Sequence, residues 1–260
     1  AASLRANGEP TWINELSLES GRIAPLADGA VSVRAGNTML LATAVSSHDP
    51  PTKGFFPLTV DSREKFYASG KIPQNFMRRE LRQSDREILQ SRLVDRAIRP
   101  LFPDNYRQET QVILSLLSSD ESCDLEVLNI NAASAALSIS DIPWGGPIAA
   151  VRVVKDGSSG ELVVHPDIQT LEESEFAMLF VGTGDENQVV MLEVDSAAPI
   201  SQQNFIDAMK LAQNSLSPIL ELQTKLADTI GKPKRTIVDQ SSGVADELET
   251  VAVDMAMDPV

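Results

Sequence analysis

Short apolar segments closed off by glycine-, asparagine- and proline-bearing turns recur along most of this chain, and helical patterns only punctuate them. That order restricts the fold more than any other feature. Residues 15–21 read as a half-exposed strand ending at Gly21. Residues 30–34 and 38–45 flank Ala35-Gly36-Asn37, a hairpin turn signal, and 55–60 read as a further strand. Strand patterns return at 111–117, 148–154, 162–164, 177–181 and 189–194. Ser84 with Glu87 three residues on is a capping box, predicting a helix from about Asp85 to Ile98 that stops near Arg99-Pro100. Leu125 to Ile139, rich in Ala, Leu and Ile, predicts a second. The spacing of Phe205, Met209, Leu216, Ile219 and Leu222 predicts one or two amphipathic helices between Gln202 and Lys225. Most neighbouring strands can be joined by hairpins, which favours an α+β sandwich over a doubly wound parallel sheet. Lys232-Pro233-Lys234-Arg235 reads as a linker, and 244–257 open a second helical unit. The chain starts without Met and breaks off in a helical pattern, so it reads as a fragment of something longer.

With 260 residues, 42% of them hydrophobic, the chain can bury one sizeable core and part of a second. Cys123 is the only cysteine, which excludes an intrachain disulfide and a cysteine metal cluster and fits a reducing compartment. His48 and His165 lie far apart, against a histidine zinc site. No apolar run approaches the roughly 20 residues that span a bilayer, so no membrane insertion is expected. Charge is unevenly placed. The net charge is −15, yet residues 63–99 hold ten Lys and Arg against five Asp and Glu. Residues 111–260 hold 7 against 24. A chain this acidic repels polyanions in general, so the arginine-dense island implies an anionic partner admitted at one place.

On a helix Arg92, Arg96 and Arg99 fall within roughly 60° of arc. Most other positions there are apolar, which predicts burial on more than one side. Buried cations need partners. One reading is therefore a structural network with Asp85 and Asp95, applying least to Arg99 at the helix end. The other is a row of guanidinium forks facing phosphates. Ahead of the helix, Phe76, Met77, Arg78 and Arg79 follow loop-forming residues. An aromatic, a thioether and two arginines on a loop suit single-stranded RNA, with bases on the ring and the backbone on the guanidiniums. The alternative is a loop anchored in the core by Phe76 and Met77 with solvated arginines.

FFPLTVDSREKFYASGKIPQNFMRRE followed by SDREILQSRLVDRAIRPLFP resembles the first RNase PH-type core domain of the polynucleotide phosphorylase family. ESGRIAPLADGAVSVRAGNTMLLATAVSS and NINAASAALSISDIPWGGPIAAVRV extend the resemblance. It covers about 13–225, with 226–243 as linker and 244–260 similar to the start of an all-α domain. The resemblance implies an α+β fold of RNase PH type (ribosomal protein S5 domain 2-like). NFMRRE, SDREIL and SDIPWGGP are closer to the eukaryotic organellar branch, which implies a mitochondrial location, with cytoplasm or plastid as alternatives. Members degrade RNA from the 3′ end with inorganic phosphate as co-substrate and Mg2+ as cofactor, and they form homotrimeric rings. In such a ring the loop of Phe76, Met77, Arg78 and Arg79 guides RNA, with Arg82 close by. Arg92, Arg96 and Arg99 lie nearer the site.

The resemblance also implies what this part lacks. Where the family's catalytic core opens its central helix with a Ser/Thr-rich phosphate cradle, this chain has Cys123-Asp124-Leu125-Glu126, whose carboxylates would repel phosphate. Where that core pairs aspartates on a metal, Ala177 stands beside Glu172, Glu173 and Glu175, which read as a solvated acidic turn. No catalytic or metal residue is expected in this chain. The alternative is a non-catalytic ring subunit of exosome type that threads RNA. Gly145-Gly146-Pro147 reads as a turn, His165-Pro166 as a strand end, and Cys123 lacks a base that would make it a nucleophile.

Overall fold

The structure is a computed structural model that describes residues 2–5, 16–48, 55–73, 80, 82–120, 123–157, 160–183, 188–197 and 199–236. The alternating segments build two sheets. The first comprises β1 (Ala2–Arg5), β2 (Ser17–Ser20), β3 (Gly29–Ala35), β4 (Thr38–Ser46), β5 (Leu58–Glu64) and β6 (Thr110–Ser118), in the order β1-β2-β3-β4-β6-β5. β3 and β4 form the expected hairpin, with Ala35 opposite Thr38. β4 alternates buried and partly exposed residues, as a strand packed on one face does. The second sheet, ordered β10-β9-β7-β8, contains β7 (Ala149–Lys155), β8 (Leu162–Val164), β9 (Phe176–Gly182) and β10 (Val189–Ser196), all antiparallel.

The strand expected at 55–60 forms later, over Leu58–Glu64, and pairs with β6 in parallel. A parallel pair needs a crossover, and α1 (Asp85–Ile98) lies between the two strands in sequence. The charged residues of β5 find partners of their own, Arg63 with Asp61 at 2.9 Å and Glu64 with Arg86 at 3.6 Å, and buried Ser62 is satisfied across the helix interface. Its N–H donates to Ser91 Oγ at 2.9 Å and its hydroxyl to Gln90 Oε1 at 3.1 Å. The α1 capping box is complete. Glu87 N–H donates to Ser84 Oγ at 3.2 Å, and Ser84 N–H donates to Glu87 Oε2 at 2.6 Å. α1 nevertheless buries one face only. Ile88 is 41% and Leu89 61% exposed, which corrects the expectation of burial on several sides.

α2 (Leu125–Ile139) sits in the middle of the fold. Thirteen of its 15 residues are buried, and it packs against strands of both sheets and against α1 and α5 (Ser217–Ile230). A helix apolar all round has to be covered all round. Its alanines let the strands approach closely, and at Gly29 of β3 an added Cβ would stand 2.1 Å from the Ala136 carbonyl oxygen. The polar residues on α2 pair internally. Asn131 exchanges two hydrogen bonds with Ala150 of β7, at 3.0 and 2.9 Å. Ser134 and Gln223 of α5 together satisfy Ile148.

α3 (Ile168–Glu172) links β8 to β9, and α4 (Gln202–Asn214) precedes α5. α5 continues to Ile230, beyond the expected end at Lys225. Lys232 to Arg235, expected as a linker, straps the core. Lys232 and Arg235 N–H groups donate to Ile139 and Asp141 carbonyls at 3.0 and 2.7 Å. Lys234 Nζ donates to the carbonyls of Leu137, Ser138 and Ser140 at 2.7, 3.2 and 2.8 Å, a cation on the C-terminal carbonyls of α2. Burial draws the Lys234 pKa down to about 8. Arg235 bridges Asp28 and Asp141 at 3.2 and 2.7 Å. The helical unit expected at 244–260 lies outside the described residues. No helix among the described residues is long and apolar enough to cross a membrane.

Candidate functional site

An open cleft of about 930 Å3 lies where the N-terminus of α2 meets the ends of β5 and β6 and strands β7, β9 and β10. Seven carboxylates and four cations line it among the described residues. Its inner wall is built by α2. Asp124 caps the helix, accepting from Glu126 N–H at 2.9 Å. Arg152 of β7 donates from Nε to Asp124 Oδ2 at 2.7 Å and from its terminal nitrogen to Glu126 Oε2. Side chains of Arg152 and Asp124 are only 11% and 5% exposed. Burial works against the Arg152 charge, but Asp124 and Glu126 outweigh it and hold its pKa above the ordinary value. A helix N-terminus is a natural anion site. Here the chain's own carboxylates occupy it. An incoming phosphate would have to displace Asp124 from the helix entry and would meet Glu126 beside it.

The two carboxylates at this helix entry, expected to repel phosphate, share one arginine 28 and 26 residues away, so the three groups together keep one negative charge. Sequence reasoning missed Arg152. Its signal was a lone charge in the otherwise apolar strand 149–154, which needs a buried partner. His165 lies beside it, donating its N–H to the Arg152 carbonyl at 2.8 Å with φ at 53°. Burial lowers the His165 pKa to about 4. Cys123 is buried at the cleft wall, and burial pushes its thiol pKa up, so little thiolate forms.

Along the β9–β10 pair, Ala177 lies opposite Asp195, and both face the cleft. A single carboxylate across that pair does not make a divalent site. Glu172, Glu173 and Glu175 are exposed, and Glu175 pairs with Lys155 at 2.9 Å. The one group of three potential ligand residues found among the described residues is Asp28, His48 and Asp141. It is elsewhere, and the Arg235 guanidinium already bridges its two carboxylates. These residues do not fit Mg2+.

The arginines separate by partner. Arg99 is the most fully tied, against the expectation that structural pairing applied least to it. It grips Asp95 at 2.6 and 2.7 Å, reaches the Leu58 carbonyl at 3.3 Å and stands 5.7 Å from the Phe56 ring centroid. Arg96 faces Glu193 at 3.5 Å with its side chain 59% exposed. Arg92 and Arg82 are exposed, and neither has a hydrogen bond or ion pair among the described residues. Asp85 neutralises none of the three helix arginines. Phe76, Met77, Arg78 and Arg79 lie outside the described residues. Glu80, the next residue, is held by two bonds. Phe66 N–H donates to Glu80 Oε1 at 2.9 Å, and Lys65 Nζ donates to the Glu80 carbonyl at 2.6 Å.

Two family models match the chain in tandem: "3' exoribonuclease family, domain 1" over residues 13–143 and "3' exoribonuclease family, domain 2" over 146–215. Among curated proteins, the polyribonucleotide nucleotidyltransferase of Sorangium cellulosum is 45% identical over 223 residues, covering 86% of this chain and 29% of that protein. The protein of the same name from Thermomicrobium roseum is 46% identical over 231 residues, 88% and 28% of the two chains. That of Thermus thermophilus is 43% identical over 236 residues, 91% and 32%. The chain therefore spans less than a third of the length of these relatives.

Proposed function

The chain belongs to the 3′ exoribonuclease family, and from that premise we propose that it is the RNA-guiding, ring-forming part of a polynucleotide phosphorylase. In this reading the whole protein shortens single-stranded RNA from its 3′ end with inorganic phosphate. The chemical centre, with its Mg2+, lies outside this chain. One observation carries the division of labour: the helix entry that would cradle phosphate is filled by Asp124 and Glu126 around Arg152. The printed name of the relatives, polyribonucleotide nucleotidyltransferase, favours a phosphorolytic enzyme over a purely threading ring subunit. Guidance falls to Phe76, Met77, Arg78, Arg79 and Arg82, with Arg92 and Arg96 as further exposed cations. Homotrimer formation would bring several copies of the arginine segment together around one strand and raise their effective concentration. A mitochondrial setting is part of the same reading.

The test compares two preparations. The full-length protein should release ADP from poly(A) when given phosphate and Mg2+, and the 260-residue chain alone should release none. In the full-length protein, Arg78→Ala with Arg79→Ala should weaken RNA binding without sequence preference. Each lost phosphate contact should flatten the salt dependence by about 0.7. Phosphorolysis by the isolated chain, or unchanged affinity and slope in the double variant, would refute the assignment.

A further inference from the structure

Immediately after β5, a short 3-10 helix, Phe66–Ser69, turns the chain along the rim of the cleft. It is pinned from three sides. Ala68 is 6% exposed and its carbonyl accepts from Ser119 N–H at 2.9 Å. Phe66 N–H is taken by the Glu80 carboxylate. Gly70, at φ 69°, closes the turn through the Tyr67 carbonyl at 3.0 Å. A turn fixed this firmly still leaves two rings outside, Phe66 at 44% and Tyr67 at 58% exposure. Of the two, Phe66 lines the cleft, and Lys65, Lys71 and Arg86 line it on the same side as the turn and the start of α1. Asp124, Glu126, Glu193 and Asp195 line the same cleft and make that part of its wall acidic.

A ring carried on a fixed backbone turn has less freedom to lose on binding than one on a loose loop. Stacking on a base is tolerant of sequence, and cations beside the ring suit the adjoining phosphates. The carboxylates on the α2, β9 and β10 side repel a polyanion, which favours a strand held against the cationic side. We propose that Phe66 is a base-stacking platform for single-stranded RNA at the rim of the cleft, with Lys71 and Arg86 taking the flanking phosphates. Glu80, which the Phe66 N–H holds, directly follows Arg79 in sequence, and the proposal rests on the RNA-guiding reading above. Arg86 is suited to this, since its side chain is 65% exposed and its Glu64 partner stands 3.6 Å away.

The experiment uses the full-length protein and a fluorescein-labelled oligoadenylate, with an abasic ribose-phosphate strand as control. Phe66→Ala should weaken oligoadenylate binding about tenfold and leave abasic binding unchanged. Phe66→Trp should restore affinity. Phe66→Leu keeps apolar bulk without a flat ring, so it should fold normally, with oligomeric state and melting checked, yet bind as poorly as the alanine variant. Tyr67→Ala, on the neighbouring ring outside the cleft, should bind like the parent. Arg86→Ala should flatten the salt dependence by about 0.7. Wild-type affinity in Phe66→Leu, or equal losses on the abasic strand, overturns the platform. If binding requires Arg78 and Arg79 but not Phe66, the platform falls and RNA guidance stands. If the parent binds no oligoadenylate, both fall.

Discussion

Replacing Arg152 with leucine removes the cation from the inner wall of the cleft and leaves Asp124, 5% exposed, with no counter-ion. Asp124 would keep the Glu126 N–H as its capping donor, which offsets part of the loss. Glu126 is 40% exposed and solvent screens its share, so the cost is carried by Asp124. Breaking one side of a buried pair costs about 3–5 kcal/mol. For a chain of this size each kcal/mol moves the melting temperature by roughly 2–4 °C, so Arg152→Leu should melt on the order of 10 °C lower. Adding Asp124→Asn, which keeps the cap and removes the orphan charge, should recover most of that loss. The deficit should also shrink in acid. Without Arg152, a buried carboxyl at position 124 favours its neutral form, so protonation at low pH relieves the penalty and rising pH restores it. Thermal melts of parent, single and double variants followed by circular dichroism at several pH values decide the matter. A single variant that melts with the parent, or a double variant no better than the single, would refute the argument that Arg152 compensates a buried carboxylate.

His165 should make the protein acid-sensitive. Its folded pKa of about 4 lies below the ordinary 6.5, so the unfolded state binds the extra proton, and stability present above pH 6.5 is lost as pH falls towards 4. The loss is on the order of 3 kcal/mol. His165→Asn, which tolerates the φ of 53°, should flatten that part of a stability-versus-pH curve from urea titrations. Gly29→Ala forces a methyl against the Ala136 carbonyl and should cost about 1–3 kcal/mol in urea unfolding, and a neutral result would show that β3 and α2 can separate. Arg99→Ala should cost about 1 kcal/mol by losing the Asp95 fork, whereas Arg92→Ala should stay within about 0.5 kcal/mol; equal effects would contradict the difference in their partners.

Features that close within a few residues are legible in the amino-acid sequence itself. The start of α1 follows from Ser84 and Glu87, because a capping box closes over three residues, and its end from Pro100. α2 follows from its run of good helix formers, and the β3–β4 hairpin from the turn at 35–37. The acidity of the α2 entry is equally visible, since Asp124 caps the helix and Glu126 stands in its first turn. Pairing over longer spans was decided by the tertiary structure. Nothing near Leu58–Glu64 says that it pairs in parallel with Thr110–Ser118, because that register depends on α1 packing across it. Arg152 reaches Asp124 and Glu126 only because β7 packs against α2, and Lys234 finds the Leu137, Ser138 and Ser140 carbonyls only because α5 delivers it there. The three helix arginines share an arc by periodicity alone. Arg99 has Asp95 one turn back on its own helix, which is a local pair, but its further hold on the Leu58 carbonyl, the Glu193 partner of Arg96 and the lack of any described partner for Arg92 were set by what packed opposite. Sequence carries the local hydrogen-bonding and apolar period of each element. Burial and charge compensation are properties of neighbours brought together by folding, and they decided which residues of this chain are scaffold and which face a ligand.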